Sequence, residues 1–146
     1  MTIAPIRREI LVGAPVDRTF ELFTGHIGAW WPLATYSVFG DGTVGFEDRE
    51  VVERSGEKSS VWAEVLEWDP PAGLRLAWHP GSDRTKATDL RVTFTPDGEH
   101  TLVRVEHAGW EIMSDPAAAA NEYGQGWPGV LGGFASFVGS RSAVGR

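Results

Sequence analysis

Alternation of apolar and polar residues with a period of two runs through the middle of the chain, and gives way to a period of three to four near its end. Leu74, Leu76 and Trp78 alternate with Arg75, Ala77 and His79, and Leu90, Val92 and Phe94 with Arg91, Thr93 and Thr95, as half-buried antiparallel strands do. Pro96-Asp97-Gly98-Glu99 supplies a hairpin turn, after which Thr101, Val103, Val105 and His107 share one face of a last strand. Earlier, Ile3 to Val12 reads as a strand, and Val44 to Arg54 and Ser59 to Trp68 read as two more, joined by Ser55-Gly56-Glu57-Lys58. Asp69-Pro70-Pro71-Ala72-Gly73 turns the chain between strands. In Ser59 to Trp68, Trp62 and Trp68 fall on one face while Val61, Ala63 and Val65 fall on the other, so the pattern does not orient this strand.

Helical spacing appears twice. Ala14-Pro15-Val16-Asp17 starts a short helix with Val16, Phe20 and Phe23 on one side, and Gly25 ends it. A second helical turn within His26 to Pro32 carries Trp30 and Trp31, and a loop follows. Near the end, Tyr123, Trp127, Val130 or Leu131, Phe134, and Phe137 or Val138 make one apolar stripe, with Ser114-Asp115-Pro116 as its start. Gly124, Gly126, Gly129, Gly132 and Gly133 each cost about 1 kcal/mol against alanine in a helix interior, and Pro128 about 3 kcal/mol. Packing rather than propensity must hold this helix, and a break near Gly126 to Pro128 is its weak point.

Composition narrows the function classes. With 146 residues and 42% apolar content, one domain spanning residues 1–146 is expected, with a single core. Zero cysteines exclude a disulfide framework, a thiol nucleophile and Cys-based metal sites, and fit a cytoplasmic location. No run approaches the roughly 18 apolar residues of a membrane span, so no membrane association is expected. A net charge of −7 repels phosphate backbones, which speaks against nucleic acid. The four histidines have no metal-site spacing, HExxH is absent, and no cofactor or metal is expected. Ser59, Ser60 and Ser136 lie in no Gly-x-Ser-x-Gly elbow, and Gly124, Gly126 and Gly129 do not follow a strand as a dinucleotide fingerprint would.

Several phrases in order carry a family resemblance: Gly13-Ala14-Pro15-Val16-Asp17 with Phe20, Trp31-Pro32, Glu64-Val65-Leu66-Glu67-Trp68-Asp69-Pro70-Pro71, Leu76-Ala77-Trp78, Thr101 to Trp110, and Gly126-Trp127. Together they span nearly the whole chain, which resembles the START-like (SRPBCC) superfamily, in the branch of the activator of the heat-shock-protein-ninety ATPase. The resemblance implies an α+β helix-grip fold: a curved antiparallel sheet of six or seven strands wrapped around a long C-terminal helix, two short helices after the first strand, and a hydrophobic cavity between sheet and helix. It does not fix an activity, since members look like lipid carriers, hormone receptors, polyketide cyclases, stress-response proteins and co-chaperone domains. The co-chaperone carries a further N-terminal domain, for which this chain has no room, and that weighs against a chaperone partner.

The candidate cavity residues are Trp30, Trp31, Trp78, Val103, Val105, His107, Trp110, Trp127, Leu131 and Phe134. Tryptophans at these positions either line a cavity or simply fill the core; Trp30 and Trp31 either rim a cavity mouth or staple the sheet. His107 is either a buried neutral imidazole held by hydrogen bonds or a group that touches a ligand. His79 falls at a strand end, and Glu64 and Glu67 read as solvent-face carboxylates. The first expectation is therefore binding of a small apolar or aromatic molecule, in a role that could be stress-related. The alternatives are a cyclase or dehydratase using the same cavity with His107 as weak acid or base, and a chaperone-associated or homodimeric interaction module acting through exposed Trp30 and Trp31.

Overall fold

The computed structural model describes residues 3–32, 42–82 and 84–144, with side chains as far as Gly139. The loop expected after Pro32 falls largely on residues 33–41, outside the described residues. Seven strands form one curved antiparallel sheet in the order β1-β7-β6-β5-β4-β3-β2. They are β1 Ile6–Val12, β2 Thr43–Glu47, β3 Glu50–Ser55, β4 Lys58–Asp69, β5 Gly73–Trp78, β6 Thr88–Asp97 and β7 His100–Ala108. Two short helices, α1 Val16–Gly25 and α2 Ile27–Trp30, follow β1, and a long helix, α3 Pro116–Val144, closes the chain. This is the helix-grip arrangement.

The expected strand Val44 to Arg54 is in fact a hairpin, β2 and β3, paired from Thr43↔Arg54 to Glu47↔Glu50. Its two-residue turn, Asp48-Arg49, has φ of 48° and 65°, the doubly positive geometry that such turns need and that Gly and Asn usually supply. Because no glycine follows Asp48 to mark such a turn, the sequence reads as one strand.

Helix α3 begins as expected. Asp115 is its cap, with Oδ1 accepting from the Ala118 N–H at 3.3 Å, and Pro116 takes the first helical position, where a missing N–H costs nothing. The helix then runs unbroken through Gly126 to Pro128, so the expected weak point is not a break. Trp127, Val130, Leu131, Phe134 and Val138 are buried on its sheet-facing side, while Pro128 is exposed. The glycines are not all there for closeness. A Cβ on Gly124 would crowd Arg8 and Ile6 of β1, whereas Gly129 and Gly132 have open space beside them.

The outer face of the sheet is polar. Arg104 pairs with Glu9 directly opposite, Arg7 with Glu106, Arg75 with Asp89, and Arg91 with Glu67. Such exposed pairs contribute about 0–1 kcal/mol each. The inner face carries the core.

Candidate functional site on the inner face of the sheet

Two bulges in β4 decide what the inner face presents. Opposite β3, Val52↔Val61 is followed by Val51↔Ala63, so Trp62 is an extra residue; opposite β5, Val65↔Leu76 is followed by Glu67↔Arg75, so Leu66 is another. Each insertion resets the alternation. Ala63 and Val65 pair with Trp78 and Leu76 and face inward, and after the second bulge Trp68, paired with Leu74, faces inward too. Trp62 joins them, its ring 5.9 Å from Trp78 and 5.7 Å from Trp31. Glu64 and Glu67, three apart, consequently both lie on the outer face, as expected of them. Only Glu67 is well exposed; Glu64 holds the Nε2 of buried His79 at 2.8 Å, while the His79 Nδ1 faces the Ser82 carbonyl at 3.3 Å.

Trp31, at the end of α2, sits at the centre of an indole cluster. Its ring centroid is 5.5 Å from Trp78, 5.6 Å from Trp30, 5.7 Å from Trp62 and 6.1 Å from Trp127 of α3. Buried indoles need a partner for their N–H. Trp30 donates to the Phe23 carbonyl, Trp62 to the Glu53 carboxylate at 3.2 Å, Trp110 to the His107 carbonyl and Trp127 to the His107 ring. The Nε1 atoms of Trp31 and Trp78 are buried and have no hydrogen-bond partner. A buried donor left this way costs about 1–3 kcal/mol.

His107 lies at the other end of the cluster with both ring nitrogens occupied. The Trp127 indole N–H donates to Nδ1 at 3.1 Å, which fixes the proton on Nε2; Nε2 then donates to Thr88 Oγ1 at 2.7 Å, and the Thr88 hydroxyl donates to the Trp78 carbonyl at 3.2 Å. Burial, only partly opposed by Asp89, pushes the imidazole pKa down to about 3. The ring is neutral and ties α3 to β5, β6 and β7.

Of the residues singled out from sequence, Trp31, Trp78 and Trp127 meet in one cluster, and Trp30 and Phe134 stack beside it at 4.8 Å. Trp30 is not the exposed group expected of an interaction surface: it is 6% exposed and part of the core, and Trp31 is only partly exposed. Val103, Val105 and Leu131 are core residues. Trp110 packs on His107 and Tyr123, away from the Trp31 group. Sequence reasoning passed over Glu53, a carboxylate with no exposed surface, on the inner face two residues from Val51. Val51 and Glu53, two apart, share a strand face in any case; that this face joins Val44 on the inner side follows only from the hairpin, which pairs Val44 with Glu53.

Among the described residues no group of three or more His, Asp or Glu side chains could hold a metal ion, and no helix is long and apolar enough to cross a membrane. The arrangement is a packed cluster of indoles in which two buried N–H groups have no acceptor.

The sheet curved around α3 places the protein in the START-like class. Residues 13–139 match the family model described as activator of Hsp90 ATPase homolog 1-like protein, and the chain belongs to that family. Among solved structures, an anthrahydroquino-γ-pyrone synthase, Txn09, determined in complex with a ligand, is 28% identical, with a TM-score of 0.56 over 82% of this chain and 86% of that one. The self-sacrificing resistance protein CalC from Micromonospora echinospora is 22% identical, with a TM-score of 0.64 over 94% and 96%. The Aha1 dimer from Colwellia psychrerythraea is 14% identical, with a TM-score of 0.67 over 93% and 96%. No curated protein matches the chain.

Proposed function

We propose that this domain binds an oxygen-bearing aromatic small molecule against the wall formed by Trp31, Trp62, Trp78 and Trp127. The observation that carries this reading is the pair of buried indole N–H groups, on Trp31 and Trp78, with no protein acceptor. Native interiors rarely leave such donors unpaired, and a ligand carbonyl or ether oxygen would pair them while its ring stacks on the indole faces. Likeness to a synthase of an aromatic pyrone, at 28% identity, supports the same ligand chemistry.

The test is titration of the purified protein's tryptophan fluorescence with hydroxylated anthraquinones, flavonoids, fatty acids and small carboxylic acids, with native mass spectrometry for stoichiometry. Saturable 1:1 binding of oxygenated aromatics at micromolar concentration is the expected result. Binding of fatty acids alone, or of nothing in the panel, overturns the reading.

The same 28% likeness favours a second reading, in which such a molecule is also turned over by cyclisation. His107 is poorly suited to acid–base work there, because Trp127 and Thr88 occupy its two nitrogens. Glu53 is an ionisable group beside the wall. Ring closure of a linear poly-β-ketone probe that survives Glu53→Gln unchanged would remove that reading.

A further inference from the structure

Strand β4 outruns its neighbour on one side. Its ladder with β5 continues to Asp69↔Gly73, but its ladder with β3 stops at Glu50↔Glu64, with one last bond from the Val65 N–H to the Arg49 carbonyl at 2.8 Å. From Leu66 to Asp69 the strand is therefore a sheet edge, left open where the Asp48-Arg49 turn ends the β2–β3 hairpin. Such edges are normally covered or polar, because their backbone groups pair with any extended chain that reaches them. This one carries two of the four large apolar side chains that are well exposed among the described residues, Leu66 at 48% and Trp68 at 45%. The Trp68 ring rests against Phe20 of α1 at 5.2 Å and Phe46 of β2 at 5.8 Å, which makes it a fixed platform. The charge beside it is acidic. Asp48 and Asp69 are exposed and have no ion pair among the described residues, while Arg49 is turned back onto the Val65 carbonyl at 3.5 Å. On the outer face Glu67 and Asp69 border a notch of about 130 Å³ over Gly73, where a Cβ is excluded by the Val92 carbonyl oxygen at 2.6 Å.

We propose that the edge of β4 from Leu66 to Asp69 docks an extended basic segment of a partner protein, added to the sheet as a further strand. Main-chain bonds to the open edge hold the segment, an apolar side chain packs on Leu66 and Trp68, and a lysine or arginine on the outer face pairs with Asp69 and reaches toward the notch. A second copy of this chain fits the edge poorly: two-fold antiparallel pairing would set Glu67 and Asp69 against their own counterparts, and like charges across a ladder repel. This site does not depend on the ligand-binding reading above.

The probe is an acetylated, amidated hexapeptide of alternating lysine and valine. One control replaces lysine by glutamate; the other is the lysine–valine peptide N-methylated throughout, which keeps its charge but has no N–H with which to build a ladder. Each is titrated into isotope-labelled protein while backbone amide and indole chemical shifts are followed. The lysine–valine peptide is expected to bind with a Kd of about 0.1–1 mM, at least about tenfold more tightly than either control. The largest shifts should fall on the amides from Leu66 to Asp69 and on the Trp68 indole. Asp69→Lys, at an exposed position, should weaken binding about threefold. If the N-methylated peptide binds equally well, charge attraction alone is at work and strand addition is overturned. Shifts centred elsewhere on the sheet, or no binding by the lysine–valine peptide, overturn it too. If the same amides instead shift as the free protein is concentrated and forms dimers, the occupant is a second copy and the basic partner segment is overturned.

Discussion

Arg8 of β1 reaches under α3 and donates from Nε to the carbonyl of Gly124 at 3.2 Å. Gly124 lies four residues before Pro128, so its carbonyl is the one that the proline, lacking an N–H, leaves without a helical partner. The helix passes through Pro128 unbroken because a neighbouring strand supplies the missing donor. Gly124 has no side chain for the same reason: a Cβ would stand 3.2 Å from Arg8 Nη2.

This relationship predicts coupling between two residues that do not adjoin in sequence. Arg8→Ala should cost about 1 kcal/mol in the wild-type background, the usual worth of a hydrogen bond. In a Pro128→Ala background, where residue 128 donates to Gly124 itself, the same change should cost much less. Urea unfolding of the two single variants and the double variant measures the difference. Equal costs in both backgrounds would mean that Arg8 does not stand in for the proline's missing N–H.

Much of this architecture was legible in the chain. The strands from Leu74 to His107 and the stripe of α3 follow from unbroken periods of two and of three to four. What failed was wherever the period breaks without a marker. Asp48-Arg49 turns the chain with two positive φ angles and no glycine, so β2 and β3 merged into one strand. The insertions at Trp62 and Leu66 each shift the phase of β4, and only with both in place do Trp62, Ala63, Val65 and Trp68 face inward together. Glu53 was lost with the merged strand: in an unbroken Val44 to Arg54 it falls on the face opposite Val44, whereas the hairpin pairs the two on one face. The candidate tryptophans were visible by type, but which two lack an acceptor depends on tertiary geometry that no spacing encodes.

Glycine substitutions should separate close approach from mere space. A Cβ on Gly28 of α2 would lie 2.6 Å from the Val44 carbonyl oxygen, a backbone atom that cannot swing aside. Gly28→Ala should therefore push α2 and its tryptophans off β2 and cost about 1–3 kcal/mol. Gly129 and Gly132 of α3 meet nothing within 4 Å, and alanine there should stabilise by about 0.5–1 kcal/mol each through helix propensity. Thermal melts of the three variants check both signs, and a destabilised Gly132→Ala would show that the space beside α3 is needed.

His107 gives the protein a pH dependence of definite sign. Its folded pKa is held down to about 3 by burial, while an unfolded histidine titrates near about 6.5. Between these values the unfolded chain holds a proton that the native one does not. Stability from this residue is therefore complete above about pH 6.5 and falls as the pH drops toward 3, by about 1.4 kcal/mol per pH unit. His107→Gln, whose amide can accept from Trp127 and donate to Thr88, should lose this slope. Denaturant titrations of both proteins at several pH values between 5 and 7 read it directly; parallel curves would show that His107 does not set the acid limit.

Trp78 and Trp127 are each 3% exposed and lose the same atoms on conversion to phenylalanine, so they isolate the role of the N–H. In Trp127→Phe the Nδ1 of His107 is left buried without its donor, and the cost of that orphan adds to the cost of the lost volume. In Trp78→Phe an orphan that already exists is removed, and its relief offsets much of the lost volume. Trp127→Phe should therefore be less stable than Trp78→Phe by about 1–3 kcal/mol. Ligand binding should rank them the other way, with Trp78→Phe losing affinity for oxygenated aromatics out of proportion to its small effect on folding. A protein that keeps an unpartnered interior donor for its ligand loses little stability when that donor is deleted, and loses recognition with it. Chemical denaturation beside a binding titration tests both halves on the same samples, and equal losses of affinity in the two variants would show that the unpartnered Trp78 N–H is not aimed at a ligand.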